Sequence, residues 1–158
     1  MSKATTKITE EWARTAPAGS ELDLKCALWF GYRVVERVEY GVKLIRLVMD
    51  DPPDGLDSVY CIEIGTPCGE TYPMGDEHAD TFPPKFSTDW SAAGPLLEAM
   101  GADLLRYDGK WACEVQPGSA YPAPILAEAE APTPQLAIAR ICAVLFARGI
   151  TRENLEDA

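Results

Sequence analysis

Phe86-Ser87-Thr88-Asp89-Trp90-Ser91-Ala92-Ala93-Gly94-Pro95-Leu96-Leu97-Glu98 decides how the chain is read, because it admits two helix starts. Ser87, Thr88 or Asp89 can each accept a hydrogen bond from the free amides of a first turn, as an N-cap does. Alternatively Gly94 caps and Pro95 takes the first helical position, where its missing N–H costs nothing. The first start places Pro95 inside the helix and predicts a kink. Either start makes Thr88, Asp89, Gly94 and Pro95 structural, with Trp90 buried beside the first turn rather than stacked on a ligand.

Working back toward the N-terminus, Leu22, Cys26, Trp29 and Phe30 recur at i, i+4, i+7 and i+8, one apolar stripe of a helix. Ser20 is its expected cap, with Asp23 in the capping-box position, and Gly31 its stop. Val34–Tyr40 and Val42–Met49 are rich in β-branched residues around Gly41 and predict an antiparallel pair. Asp50-Asp51-Pro52-Pro53-Asp54-Gly55 breaks that pattern, since neither proline can donate to a ladder, and Val59–Ile64 forms a third strand. Residues 65–85 hold four prolines and three glycines with no surviving periodicity. So long a structureless connection in a compact domain points to function or disorder.

Toward the C-terminus, Asp108-Gly109 between Asp103–Tyr107 and Lys110–Gln116 is a hairpin signal, and Pro124–Ala129 suits one more short strand. Thr133 and Pro134, cap followed by N1 proline, open a helix that is apolar nearly all round to Gly149. The expected fold is α+β, an antiparallel sheet of about five strands with two or three packed helices. Residues 1–19 are a flexible N-terminal arm, 20–149 the single domain with its long acidic loop 65–85, and 150–158 a polar tail.

A chain of 158 residues, 47% of them hydrophobic, suffices for one domain with a real core. It contains no run of apolar residues long enough to span a membrane and no apolar leader at its start, so a cytosolic location is expected. The five cysteines, Cys26, Cys61, Cys68, Cys113 and Cys142, are odd in number and lack a C-x-x-C pair; they read as buried, reduced thiols. Cys61, Cys68 and His78 lie within eighteen residues but lack a fourth ligand. No metal site and no cofactor is expected.

Several of these segments together resemble a known family: the helix carrying Glu21-Leu22-Asp23, the Phe86–Leu97 run with its Ser-Thr-Asp-Trp and Gly-Pro steps, the Trp111-Ala112 strand, and the alanine-rich Thr133–Arg148 helix. The chain resembles the phage ABA-sandwich domain family, small phage accessory proteins similar to NinX of lambdoid phages. The resemblance implies an α/β/α-layered domain from a phage or prophage, at work in a bacterial host cytosol. It carries no catalytic residue over.

The net charge of −11 is uneven: residues 50–80 hold nine acids and no Lys or Arg. Direct nucleic-acid binding, which needs clustered cations, is disfavoured. Asp50, Asp51, Asp54, Asp57, Glu70, Asp76, Glu77 and Asp80 are the candidate partner-binding residues, an acidic surface facing a basic protein partner. With the resemblance, that points to a host or defence-related protein, bound by an inhibitor or a nucleic-acid mimic. The bland reading is ordinary solvated surface. The alternative is a metal-dependent or hydrolytic enzyme, or a small-ligand binder, built on Asp76-Glu77-His78-Asp80, whose oxygens and imidazole could hold a divalent ion or supply a base. No nucleophile motif or phosphate loop accompanies that cluster, and catalytic residues are not expected.

Overall fold

The computed structural model describes residues 8–39, 42–65, 71–73, 83–115, 127–153 and 155. These residues form an α+β fold with its strands divided between two antiparallel sheets rather than gathered into one of about five. The first sheet is a meander of β1 (Arg33–Glu39), β2 (Val42–Val48), β3 (Val59–Gly65) and β4 (Thr71–Pro73). The second holds β5 (Asp103–Tyr107), β6 (Lys110–Val115) and β7 (Ala127–Ala131). No helix of the described residues is long and apolar enough to cross a membrane.

The second sheet and its helix form the interior. In β7 the alternation Ala-Glu-Ala-Glu-Ala buries Ala127, Ala129 and Ala131 and exposes Glu128 and Glu130, the half-buried pattern of a strand with period two. Helix α4 (Pro134–Ala147) lies against these small residues and is buried almost all round, with Ile138, Ile141, Cys142 and Leu145 fully buried. Thr133 Oγ1 accepts from Leu136 N at 3.3 Å and Pro134 occupies the first helical turn, as expected. Asp108 and Gly109 both adopt positive φ, 49° and 74°, the backbone a two-residue hairpin turn requires between β5 and β6.

Helix α2 (Ser20–Phe30) packs on α4, with Cys26 Sγ donating to the Ala139 carbonyl; Leu22, Cys26, Trp29 and Phe30, the stripe read from the sequence, are all buried, and the helix ends at Gly31. Its start corrects the expectation for Ser20. Gly19 is the N-cap and makes no side-chain cap bond, while Asp23 turns inward to accept from Ser87 N rather than closing a capping box. Helix α3 (Trp90–Met100) takes the first of the two starts: Asp89 caps it, accepting from Ser91 N at 2.9 Å. Thr88 lies in the preceding turn, and Gly94 and Pro95 fall inside the helix, so Gly94 is not a cap. Pro95 has no N–H to give the Ser91 carbonyl one turn back.

Three expectations for the less regular segments are corrected. The arm 1–19 contains helix α1 (Glu10–Thr15), whose Thr9 cap accepts from Trp12 N at 3.1 Å; Ala13 and Ala16 are small enough to be buried in the core where α1 meets α4. The tail is tied down: Trp29 Nε1 donates to Ile150 O at 2.8 Å and Leu155 is buried. The stretch 65–85 is structured near both ends, where β4 pairs with β3 and Phe86 is fully buried just beyond Pro83 and Pro84. Pro73 is tolerated there because β4 is the edge strand of its sheet.

The free edge of β7 is closed by arginines. Arg14 of α1 donates to Glu128 O, and Arg140 of α4 donates to Glu130 O and Ala16 O, both at 2.9 Å. Among the described strands β7 is the edge of its sheet, and without these donors its Glu128 and Glu130 carbonyls would invite a foreign strand.

Candidate functional site

Within the described part of the acidic region, the candidate acids lie on the loop joining β2 to β3, residues 50–58. It is held at several points. Met49 N donates to Ser58 O at 2.9 Å and Leu56 N to Pro53 O at 3.2 Å, while the Leu56 side chain is buried. Tyr32 Oη donates to Asp57 O at 2.7 Å, and Asp57 N donates to Tyr60 Oη at 3.0 Å. The two tyrosine rings meet edge to face, with centroids 5.8 Å apart. Burial raises both phenol pKa values, and the neighbouring Asp57 carboxylate adds to the effect. They remain neutral hydrogen-bonding groups at any physiological pH.

Gly55 brings this loop against α3. Its φ is +93°, and a Cβ there would lie 3.0 Å from the Ser91 carbonyl oxygen, the oxygen that Pro95 leaves without its helical donor. Asp51, with φ 52°, also adopts the left-handed conformation, which aspartate tolerates better than most side chains. The result is a loop with a defined backbone that presents Asp50, Asp51, Asp54 and Asp57 to solvent.

Asp50 and Asp51 border a cleft of about 930 Å³, walled by the end of α2, the 50–53 turn, the second half of α3 and the segment after α4. Two cations and two further acids line it: Arg33, Arg152, Glu98 and Glu153. Both cations are engaged. Arg33 lies 3.6 Å from Asp50 in an exposed ion pair. Arg152 donates to Phe30 O at 2.8 Å and its guanidinium sits 4.6 Å above the Phe30 ring, capping the negative end of α2. The cleft therefore keeps an acidic surplus. Chemically it suits an ammonium or guanidinium group, and its described lining residues hold no nucleophile with a base beside it.

Of the sequence-predicted residues, the structure brings together Asp50, Asp51, Asp54 and Asp57 on one loop. Glu70, Asp76, Glu77 and Asp80 lie outside the described residues, and so does the alternative Asp76-Glu77-His78-Asp80 cluster. Among the described residues no three His, Cys, Asp or Glu side chains are grouped to hold a metal ion. Cys26, Cys113 and Cys142 are buried free thiols. Burial raises the pKa of Cys26 well above the ordinary thiol value and that of Cys113 to about 12, which keeps them unreactive.

Trp90 corrects its expectation. It is 49% exposed, because it occupies the first position of α3 on the side away from Ala92, Ala93 and Leu96, which face the core. Glu98, Arg33, Arg152 and Glu153 were not singled out from the sequence. They come from distant segments, and only the Glu98 position, on the polar side of a recognisable helix, carried any local signal.

Neither a protein-family model nor a curated protein matches the chain.

Proposed function

We propose that this chain is a phage or prophage accessory protein that binds a basic protein partner, host or defence-related, through the acidic face built on the 50–58 loop. One observation carries the reading: four aspartates are displayed on a backbone held by Tyr32, Tyr60 and the Gly55–Ser91 contact, within a run of 31 residues that has no Lys or Arg. A pre-shaped acidic surface loses little entropy on binding and steers a cationic partner in solution. The phage setting and the host cytosol rest on the resemblance of the Phe86–Leu97 and Thr133–Arg148 segments described above.

The test is a pull-down from bacterial lysate with the tagged chain at low and high salt, beside a variant in which Asp50, Asp51, Asp54 and Asp57 are changed to Asn. A basic protein retained by the parent at low salt, released by salt and lost by the variant is the expected result. A protein retained equally by both would dismiss the loop as the binding face.

A further inference from the structure

Trp90 is the most exposed tryptophan among the described residues, and its position is well defined. The Asp89 cap fixes the first turn of α3, and the indole Nε1 lies beside Gly94, 3.8 Å from where a Cβ would stand. Gly94 has no side chain to cover the ring. Among the described residues the indole N–H has no hydrogen-bond partner. Val59, 46% exposed at the start of β3, is another large apolar side chain left to solvent.

The surroundings are acidic. The loop bearing Asp54 and Asp57 reaches the residue after Trp90 through the Gly55–Ser91 contact. Asp89 precedes Trp90 in the chain, and the charges of Asp57 and Asp89 converge on the Tyr60 phenol. Among the described residues none of Asp54, Asp57 and Asp89 has an ion-pair partner. An exposed indole on the helix turn that Asp89 caps and the acidic loop abuts matches one side chain above all. A guanidinium is planar, weakly hydrated and permanently charged, so it can stack on the ring while its edge donates to carboxylates. An ammonium is a compact and strongly hydrated charge that gains less from the ring. A phosphate-bearing partner is repelled.

We infer that Trp90 anchors a docking face for an arginine-bearing segment of a protein partner, the indole taking the guanidinium and Asp54, Asp57 and Asp89 supplying the opposite charge. This rests on the acidic-face reading above and gives that face its preference for arginine over lysine.

The experiment titrates the full chain, at low salt, with a short fluorescent arginine-rich peptide and with its lysine counterpart, following anisotropy. The variants are Trp90→Ala, Trp90→Phe, the pair Asp54→Asn with Asp57→Asn, and a control pair, Asp103→Asn with Asp108→Asn, that removes equal charge from the β5–β6 hairpin. Circular dichroism verifies each fold. The parent is expected to prefer the arginine peptide, Trp90→Ala to weaken it about fivefold or more, Trp90→Phe to lose less, and the control pair to bind as the parent does. Equal binding of the arginine peptide by parent and Trp90→Ala, or equal binding of both peptides by the parent, overturns the inference and leaves the acidic face standing. Failure of the parent to bind either peptide overturns both.

Discussion

The Asp23 carboxylate on α2 accepts a hydrogen bond from the Ser87 amide at 2.8 Å, joining residues 64 apart in the chain, and the Ser87 hydroxyl accepts from the Gly19 amide at 3.1 Å. These bonds fix the turn before α3 against the start of α2, and so set where the Asp89 cap and Trp90 stand.

Burial raises the Asp23 pKa from the ordinary 3.8 to about 6, although the Ser87 hydroxyl and amide, both near the carboxylate, and the charge of Lys85 pull it down. The folded protein therefore holds this proton more tightly than the unfolded chain, and the associated stability, complete below pH 3.8, is lost as pH rises through about 6. Asp23→Asn, which keeps an acceptor for Ser87, is expected to flatten the stability profile in that window by about 3 kcal/mol. Asp23→Ala orphans the Ser87 amide and is expected to cost about 1–3 kcal/mol across the range. Urea denaturation of the three proteins at pH values on either side of the window measures both effects.

Pro95 and Gly55 act on the same carbonyl. Pro95→Ala gives the Ser91 oxygen an amide donor within α3 and is expected to raise stability by about 1–2 kcal/mol after the entropy regained by the unfolded chain. Gly55→Ala combines a left-handed φ with a Cβ 3.0 Å from that oxygen, and a loss of about 1–3 kcal/mol is expected. Thermal melts read both. A Gly55→Ala variant as stable as the parent would show that the loop is not seated on α3.

Arg140 closes two carbonyls with one guanidinium. Arg140→Ala leaves both without that donor and reopens part of the β7 edge; a loss of about 2 kcal/mol and a greater tendency to aggregate on mild heating are expected. Arg140→Lys restores the charge but not the fork, and should recover little. Light scattering during a thermal ramp distinguishes the outcomes.

Glu10 Oε1 takes donors from two directions, Arg14 at 2.9 Å and Arg148 at 2.5 Å, and those hydrogen bonds hold its pKa below the usual carboxylate value. Its contribution is present above the ordinary glutamate pKa and fades as pH falls. Because the groups are part exposed, Glu10→Gln is expected to cost no more than about 1 kcal/mol at neutral pH, and less still in high salt or acid. A cost unchanged by salt would show that the pairing is not electrostatic.

The sequence by itself determined what depends on neighbours in the chain. The Thr133-Pro134 cap, the Gly31 stop, the Asp108-Gly109 turn and the α2 stripe are legible because a cap or turn is satisfied within a few residues, and burial imprints its period directly on the side chains, whereas the α3 start was legible only as a choice among Ser87, Thr88, Asp89 and Gly94. The acidity of residues 50–57 was legible for the same reason, as composition. Only the tertiary structure decided the rest. The Asp23–Ser87 bond takes Asp23 from its local capping role because a buried amide elsewhere needs an acceptor. Gly55 must be glycine because Ser91 approaches it, and Arg152 is bound to the end of α2 rather than free in a tail. Trp90 faces solvent because Ala92, Ala93 and Leu96 claim the core side of α3. Each of these is settled by which surfaces meet across tens of residues, where desolvation and close approach outweigh local preference and leave no periodic trace in the sequence.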